Sequence, residues 1–187
     1  QDVTVMQIAF SASSVENISL SQIIFTAYGT GHDLYDLLNV RLFRDEDING
    51  KFDSTIDTQI GATLNYSADE GIIIFSSLSE TINAGDNKRF LIVYNLSSKG
   101  NDMATYSSFV FANSNISATG VTSSGSISTK GAPVYSDYVR IKNYNHRTNI
   151  RENCFIIKNN YFILLFVAVL FCILTFRKKS SIVSANL

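Results

Sequence analysis

FLIVY, at residues 90–94, is the stretch of sequence that decides the fold. It consists of β-branched, aliphatic and aromatic residues, and Asn, Asp and Gly cluster before it, which is typical of a strand rather than a helix. Working outward, similar segments recur at intervals of about 8 to 15 residues. They cover residues 3–10, 18–25, 40–43, 60–66, 72–75, 106–112, 121–129 and 134–141.

No segment before residue 150 carries apolar residues at the helical period of 3.6, although a short helical turn fits residues 34–38 or 78–82. Eight or nine short strands separated by turn residues predict an all-β protein. We expect residues 1–142 to form one antiparallel β-sandwich of immunoglobulin-like character, built as 8–9 strands.

The C-terminal part contains an uncharged apolar run, YFILLFVAVLFCILTF at residues 161–176, followed directly by Arg177, Lys178 and Lys179. As a helix it would span roughly 24 Å, against a hydrocarbon core of about 30 Å. The alternative is a buried core helix, but such a helix has a polar stripe and this run has none. The sequence therefore predicts a single transmembrane helix within residues 154–179, ending in a basic stop.

The flanking segments complete a predicted membrane topology. Residues 143–153 are polar and basic and are expected to form a juxtamembrane stalk, either solvated or resting on anionic headgroups. Residues 180–187 would be a short cytoplasmic tail. We expect a single-pass protein of the cell membrane with its N-terminal domain outside, and the lipid bilayer as a partner. Because the chain begins at Gln1, it reads as a mature form or as a piece of a longer polypeptide.

Composition limits the remaining function classes. A net charge of −1 over 187 residues argues against a nucleic-acid partner. The two cysteines, Cys154 and Cys172, both lie at the C-terminal apolar segment, so a packed core or bound ions must hold the domain together. His32 and His146 are far apart in sequence, and no G-x-S-x-G or P-loop motif is present. We therefore predict that the protein is not an enzyme.

One loop carries the chemistry of a metal site. DEDINGKFD, at residues 45–53, has the D-x-D-x-N-G-x-x-D spacing of a calcium loop, in which alternate oxygens point to one centre. Its predicted ligands are the side chains of Asp45, Asp47, Asn49 and Asp53 and the main-chain carbonyl of Lys51. A carboxylate normally closes such a loop at position twelve, whereas here Asp57 comes one residue later. Calcium would have a structural role, and the alternative is an acidic hairpin turn.

Several further segments extend this pattern across residues 20–133. They are IFTAYGTG at 24–31, VRLFRD at 40–45, DTQIG at 57–61, TINAG at 81–85, LIVY at 91–94, ISATG at 116–120 and GAP at 131–133. Together they resemble an immunoglobulin-like repeat of large bacterial and archaeal cell-surface proteins, with a dockerin-like calcium loop between two strands. The resemblance implies an extracellular spacer or adhesion role without catalysis.

We therefore predict a membrane-anchored cell-surface structural or adhesion module stiffened by calcium, with other surface proteins or glycans as candidate partners. The alternative is a carbohydrate-binding module, because tyrosine rings stack on the apolar faces of sugars. It requires three or more tyrosines on one exposed sheet face; otherwise the tyrosines are core and ordinary strand residues. The candidates are Tyr28, Tyr35, Tyr66, Tyr94 and Tyr106.

Overall fold

The computed structural model describes residues 1–98, 100–101, 103–143 and 154–158. These residues form two antiparallel β-sheets packed as a sandwich, as the sequence predicts. The elements are β1 (Asp2–Ser11), β2 (Ile18–Gly29), α1 (Asp33–Asp36), β3 (Leu37–Arg44), β4 (Thr58–Leu64), β5 (Ile72–Phe75), β6 (Glu80–Ile82), β7 (Asn87–Leu96), β8 (Thr105–Val110), β9 (Ile116–Gly120), β10 (Val134–Tyr135), β11 (Val139–Asn143) and β12 (Cys154–Lys158).

The first sheet, called sheet A, has the strand order β1-β7-β3-β4. Its inner strand β7 contains the stretch 90–94, in which all five side chains are fully buried. Phe90, Ile92 and Tyr94 point into the main core, whereas Leu91 and Val93 belong to a second, smaller cluster on the opposite face. A strand covered on both faces needs apolar residues at every position, which explains the unbroken run.

The second sheet, called sheet B, is organised around the long strand β2. One edge of β2 pairs with β5 and then β6, and the other edge pairs with β8 and then β9. Beyond β8 come β10 and β11, and β12 pairs with β11. On each edge of β2, the two short strands therefore pair with successive parts of it, with a few unpaired residues of β2 between them.

The core lies between the two sheets and is predominantly aliphatic and aromatic. Phe25 and Phe75 meet edge to face, with ring centroids 6.1 Å apart. The buried hydroxyls of Tyr66 and Tyr94 are 2.8 Å apart, so each phenol has a hydrogen-bond partner inside the core.

The described residues contain twelve strands where the sequence predicts eight or nine, and the predicted strand 134–141 is divided into β10 and β11. Two further segments also differ from the prediction. Residues 121–129 are a turn at 121–123 followed by mostly irregular chain, because the Glu16 carboxylate accepts hydrogen bonds from the backbone N–H groups of Thr122 and Ser123, both at 3.0 Å. The strand lies just before them, as β9. Residues 80–82 form β6 instead of the helical turn considered for 78–82, whereas α1 confirms the turn expected near residue 34.

The predicted transmembrane run at residues 161–176 lies outside the described residues, as do most of the stalk and the whole tail. Cys154–Lys158, which the sequence analysis placed in the anchor segment, form strand β12 at the edge of sheet B. Within the part of the chain that the structure describes, no helix is both long enough and apolar enough to cross a membrane.

Candidate functional site

The loop between β3 and β4, residues 45–57, begins with a buried carboxylate. Asp45 is only 4% exposed, and its backbone N–H donates to the carbonyl of Arg89 at 3.0 Å. Its carboxylate accepts hydrogen bonds from the backbone N–H groups of Asn49 at 3.2 Å and Gly50 at 3.0 Å. The side-chain amide of Gln7, on strand β1, donates to the same carboxylate. Asp45 therefore ties the loop to sheet A from within.

The middle of the loop turns sharply, as a calcium loop must. Ile48 and Gly50 both have left-handed backbone conformations, with φ of 60° and 71°. Glycine adopts this conformation without steric cost, which accounts for its place at the sixth position. The Asn49 side chain accepts a hydrogen bond from the Lys51 backbone N–H at 2.6 Å and donates one to Asp47 at 2.6 Å.

The end of the loop places a second buried carboxylate, that of Asp57, close to the carboxylate of Asp45. A helical turn, in which the Asp57 N–H donates to the Asp53 carbonyl at 2.8 Å, takes up the extra residue of the sequence spacing. The Asp57 carboxylate accepts hydrogen bonds from the N–H groups of Glu46 at 3.2 Å and Asp53 at 2.8 Å. As a result Asp45, Asp47 and Asp57 each offer an oxygen, and these oxygens lie within 4.8 Å of one another. We call these three residues the acidic triad.

Asp53 takes a different role from the other acidic residues. Its side chain accepts hydrogen bonds from the backbone N–H and the hydroxyl of Thr55, at 2.8 and 2.6 Å. These bonds hold the pKa of the Asp53 carboxyl below its usual value. Spacing favours Asp53 as a ligand and leaves Asp57 one residue beyond the closing position, whereas the turn between the two residues brings Asp57 to the other carboxylates.

The loop also covers the outer face of sheet A. Phe52 packs on Phe43 with ring centroids 4.4 Å apart, and the Arg41 guanidinium lies 5.4 and 5.6 Å from the two ring centres. Beneath them are Leu91 and Val93, both fully buried. We call Phe43, Phe52, Leu91 and Val93 the outer cluster. The strand pattern of the sequence does not predict this cluster, although the apolar residues at consecutive positions of 90–94 indicate a strand covered on both faces.

The electrostatics of the triad favour a bound cation. Three carboxylates whose oxygens come within 4.8 Å repel one another, and two of them are screened from water. The hydrogen bonds from the loop N–H groups offset part of this repulsion. Carboxylate oxygens converging on a turning loop form the donor set that binds hard divalent cations.

A second group of buried acids lies at α1. Asp36 accepts hydrogen bonds from the His32 backbone N–H at 2.8 Å and from the Tyr106 hydroxyl at 2.6 Å. Asp33 is 1% exposed and accepts a bond from the Glu70 N–H at 3.0 Å. Burial raises the pKa of Asp33 to about 6, with Asp69 and Glu70 contributing in the same direction. These bonds hold α1 against one end of the sandwich, so Asp33 and Asp36 have a structural role.

The outer face of sheet B presents an exposed aromatic and aliphatic surface. Tyr28 and Tyr138 contact each other with ring centroids 6.3 Å apart, and Tyr135 stacks on Phe109 at 5.5 Å. Register places Ile72 and Ile74 of β5 on the same side as these rings. We call this surface the aromatic face. Of the five tyrosines that the sequence analysis named, only Tyr28 lies on it.

The other named tyrosines lie elsewhere. Tyr66, Tyr94 and Tyr106 are buried in the core, and Tyr35 is exposed on α1, where its ring contacts His32 at 4.3 Å. Position along the predicted strands does not show which tyrosines are exposed, because the placement of α1 and of the long strand β2 depends on contacts with residues distant in sequence. No family model, curated protein or solved structure matches this chain.

Proposed function

We propose that the protein is a membrane-anchored cell-surface structural or adhesion module, without catalytic activity, whose β3–β4 loop is stiffened by a bound calcium ion. The observation that carries the proposal is the acidic triad at the base of a loop that covers a strand of the sandwich. An ion at this position would hold Asp45, Asp47 and Asp57 together and keep Phe52 seated on the sheet.

Calcium is the cation that best suits this loop. Ca²⁺ takes six to eight oxygens in flexible geometry, whereas Mg²⁺ demands near-ideal octahedral coordination and retains its waters. The triad offers up to six carboxylate oxygens, and the predicted ligands Asn49 and Lys51 lie in the same turn. The loop joins two strands of a sheet rather than two mobile helices, which favours a structural ion over a signalling one. The immunoglobulin-like character and the dockerin-like loop belong to the same proposal.

Direct binding tests the ion. Calorimetric titration of the full chain in detergent with Ca²⁺ should give a single site with a dissociation constant on the order of 10⁻⁴ to 10⁻³ M, the range of extracellular modules. Mg²⁺ should bind more weakly. Absence of saturable Ca²⁺ binding would show that the triad is part of an acidic turn and not a calcium site.

Membrane extraction tests the anchor. The intact chain should remain with the membrane fraction in high salt and in alkaline carbonate, because residues 161–176 would span the bilayer. Truncation after Asn160 keeps strand β12 and removes the apolar run, so it should release a soluble β-rich domain. Recovery of the intact chain in the aqueous phase without detergent would refute the anchor.

The carbohydrate-binding alternative is supported by one observation: Tyr28, Tyr135 and Tyr138 share an exposed sheet face. Sugar recognition also needs polar groups beside the rings, and the nearby Ser107 hydroxyl already donates to the Tyr28 carbonyl at 2.8 Å. A glycan-array screen of the chain truncated after Asn160 tests this alternative. Binding that Tyr28→Ala abolishes would support it.

A further inference from the structure

We propose that the aromatic face of sheet B docks on the surface of the lipid bilayer, so that the domain lies flat on the membrane. This inference rests on the proposed anchor and adds an orientation to it. The face is formed by strands β5, β2, β8 and β10, together with Tyr138.

The composition of the face suits a lipid interface. Phe111, whose ring lies 6.3 Å from that of Phe109 on this face, is 65% exposed, Tyr135 is 64% exposed, and Ile72 and Ile74 are 59% and 49% exposed. Large apolar side chains grouped on one exposed sheet face mark an interaction surface, because soluble monomers seldom expose such groups together. Tyrosine has an apolar ring and a polar hydroxyl, which favours the boundary between acyl chains and headgroups. The aliphatic members of the face suit lipid better than a sugar.

The length of the tether brings this sheet to the membrane. Strand β12 is the edge strand of sheet B and ends at Lys158, and only Asn159 and Asn160 separate it from the apolar run that starts at Tyr161. Three residue steps of extended chain reach at most about 11 Å. The edge of sheet B must therefore lie at the bilayer surface wherever the anchor is inserted.

Charge at the tethered edge of sheet B also suits a lipid surface. At the β12 edge of sheet B, Arg140 lies opposite Thr105 on the same side as the aromatic face. Cations near an anionic surface are attracted to it, so Arg140 favours contact between this face and the bilayer.

The test uses tryptophan as a local probe, because the chain contains none. We would place Trp at Tyr135 on the aromatic face (Tyr135→Trp), or at Gln59 (Gln59→Trp). Gln59 is exposed and pairs with Phe43, so it marks the outer face of sheet A. Each full-length variant is assembled into nanodiscs of phosphatidylcholine and phosphatidylglycerol, with or without bromine near the glycerol end of the acyl chains. Bromine quenches tryptophan only at close range.

The expected result is a marked loss of emission from Tyr135→Trp in brominated nanodiscs and unchanged emission from Gln59→Trp. If the chain assembles into nanodiscs but Tyr135→Trp is not quenched, docking is refuted while the anchor stands. If the chain does not assemble, both the anchor and the docking are refuted. An unquenched Tyr135→Trp whose emission shifts on addition of soluble glycans would assign the face to carbohydrate.

Discussion

At the scale of single residues, the buried carboxyl of Asp33 gives the domain a pH dependence of known sign. Burial raises its pKa to about 6 in the folded protein, against a usual value of 3.8. The folded state therefore holds the proton more tightly than the unfolded state, and stability from this group falls as pH rises from about 4 to about 6.

Asp33→Asn should remove this dependence. Asparagine keeps an oxygen that can accept the Glu70 N–H and carries no charge to desolvate. We expect the variant to match the wild type near pH 4 and to exceed its unfolding free energy by about 1 to 3 kcal/mol at neutral pH. Urea denaturation across this range measures the difference. A difference that does not change with pH would contradict the assignment.

Gly31 illustrates a residue whose size, rather than its backbone freedom, is required. A Cβ atom at Gly31 would lie 2.1 Å from the Tyr106 ring, and that ring is held in place by the hydrogen bond from its hydroxyl to Asp36. Gly29 is required for a different close approach, because a Cβ atom there would lie 2.0 Å from the backbone carbonyl oxygen of Thr105, the residue to which Thr30 bonds by backbone and side chain.

Gly31→Ala should therefore lower the unfolding free energy by about 1 to 3 kcal/mol or more, the usual cost of overpacking. Gly125→Ala is the matched control, since its nearest neighbour would be the Ser123 hydroxyl at 3.5 Å, an ordinary contact. Thermal unfolding of the two variants should separate them clearly. Equal stability would mean that the Tyr106 ring moves aside at little cost.

At the scale of elements, the β3–β4 loop acts as a cover for strand β7. Phe52 shields Leu91 and Val93, and its backbone N–H donates to the Thr4 hydroxyl of β1 at 2.8 Å. Loop docking and ion binding should be coupled, because both depend on the same loop conformation.

Phe52→Ala should cost about 1 to 3 kcal/mol of stability, since the ring is half-buried, and should also weaken the response to Ca²⁺. Ile56→Ala in the same loop is the control, because Ile56 is 46% exposed and holds its place through its backbone bond to Asp53. Calorimetric titration and thermal unfolding of both variants measure the two effects. A Phe52→Ala protein with unchanged calcium affinity would show that calcium binding does not depend on the packing of Phe52 against sheet A.

The sequence predicted most strands but not β6 and β9. Residues 72–75 coincide with β5, because their hydrophobic pattern is complete within four residues. Strands β6 and β9 are short and rich in small or polar residues, and they form because β2 offers an edge long enough for two partners on each side. In the loop, spacing found Asp45 and Asp47. The roles of Asp53 and Asp57 depend on a turn that spacing does not encode.

At the scale of the whole molecule, the two outer faces of the sandwich differ in how they are covered. The loop covers sheet A, and sheet B leaves Tyr28, Phe111 and Tyr135 exposed. The described core strands β1–β11 contain no cysteine, so no disulfide links them, packing holds the domain together, and a bound ion would add to its stability. Calcium at the triad should therefore be visible in global unfolding, not only in the loop.

If the ion binds only the folded state, stability rises as RT ln(1 + [Ca²⁺]/Kd). With Kd on the order of 10⁻⁴ to 10⁻³ M, about 10 mM Ca²⁺ would add about 1.4 to 2.7 kcal/mol. That corresponds to a rise of a few degrees in Tm for a domain of this size. Asp47→Ala should abolish most of this rise, because it removes the exposed carboxylate of the triad.

Asp53→Ala provides the discriminating control. Its carboxylate is bonded to Thr55 and is not part of the triad, so the variant should keep the calcium-dependent rise even if its baseline stability falls slightly. Thermal unfolding of the wild type and both variants with Ca²⁺ and with EDTA gives the three shifts. If Asp53→Ala loses the calcium-dependent rise in Tm and Asp47→Ala keeps it, Asp53 is a ligand as the spacing of the motif predicts. The ion would then not bind at the triad.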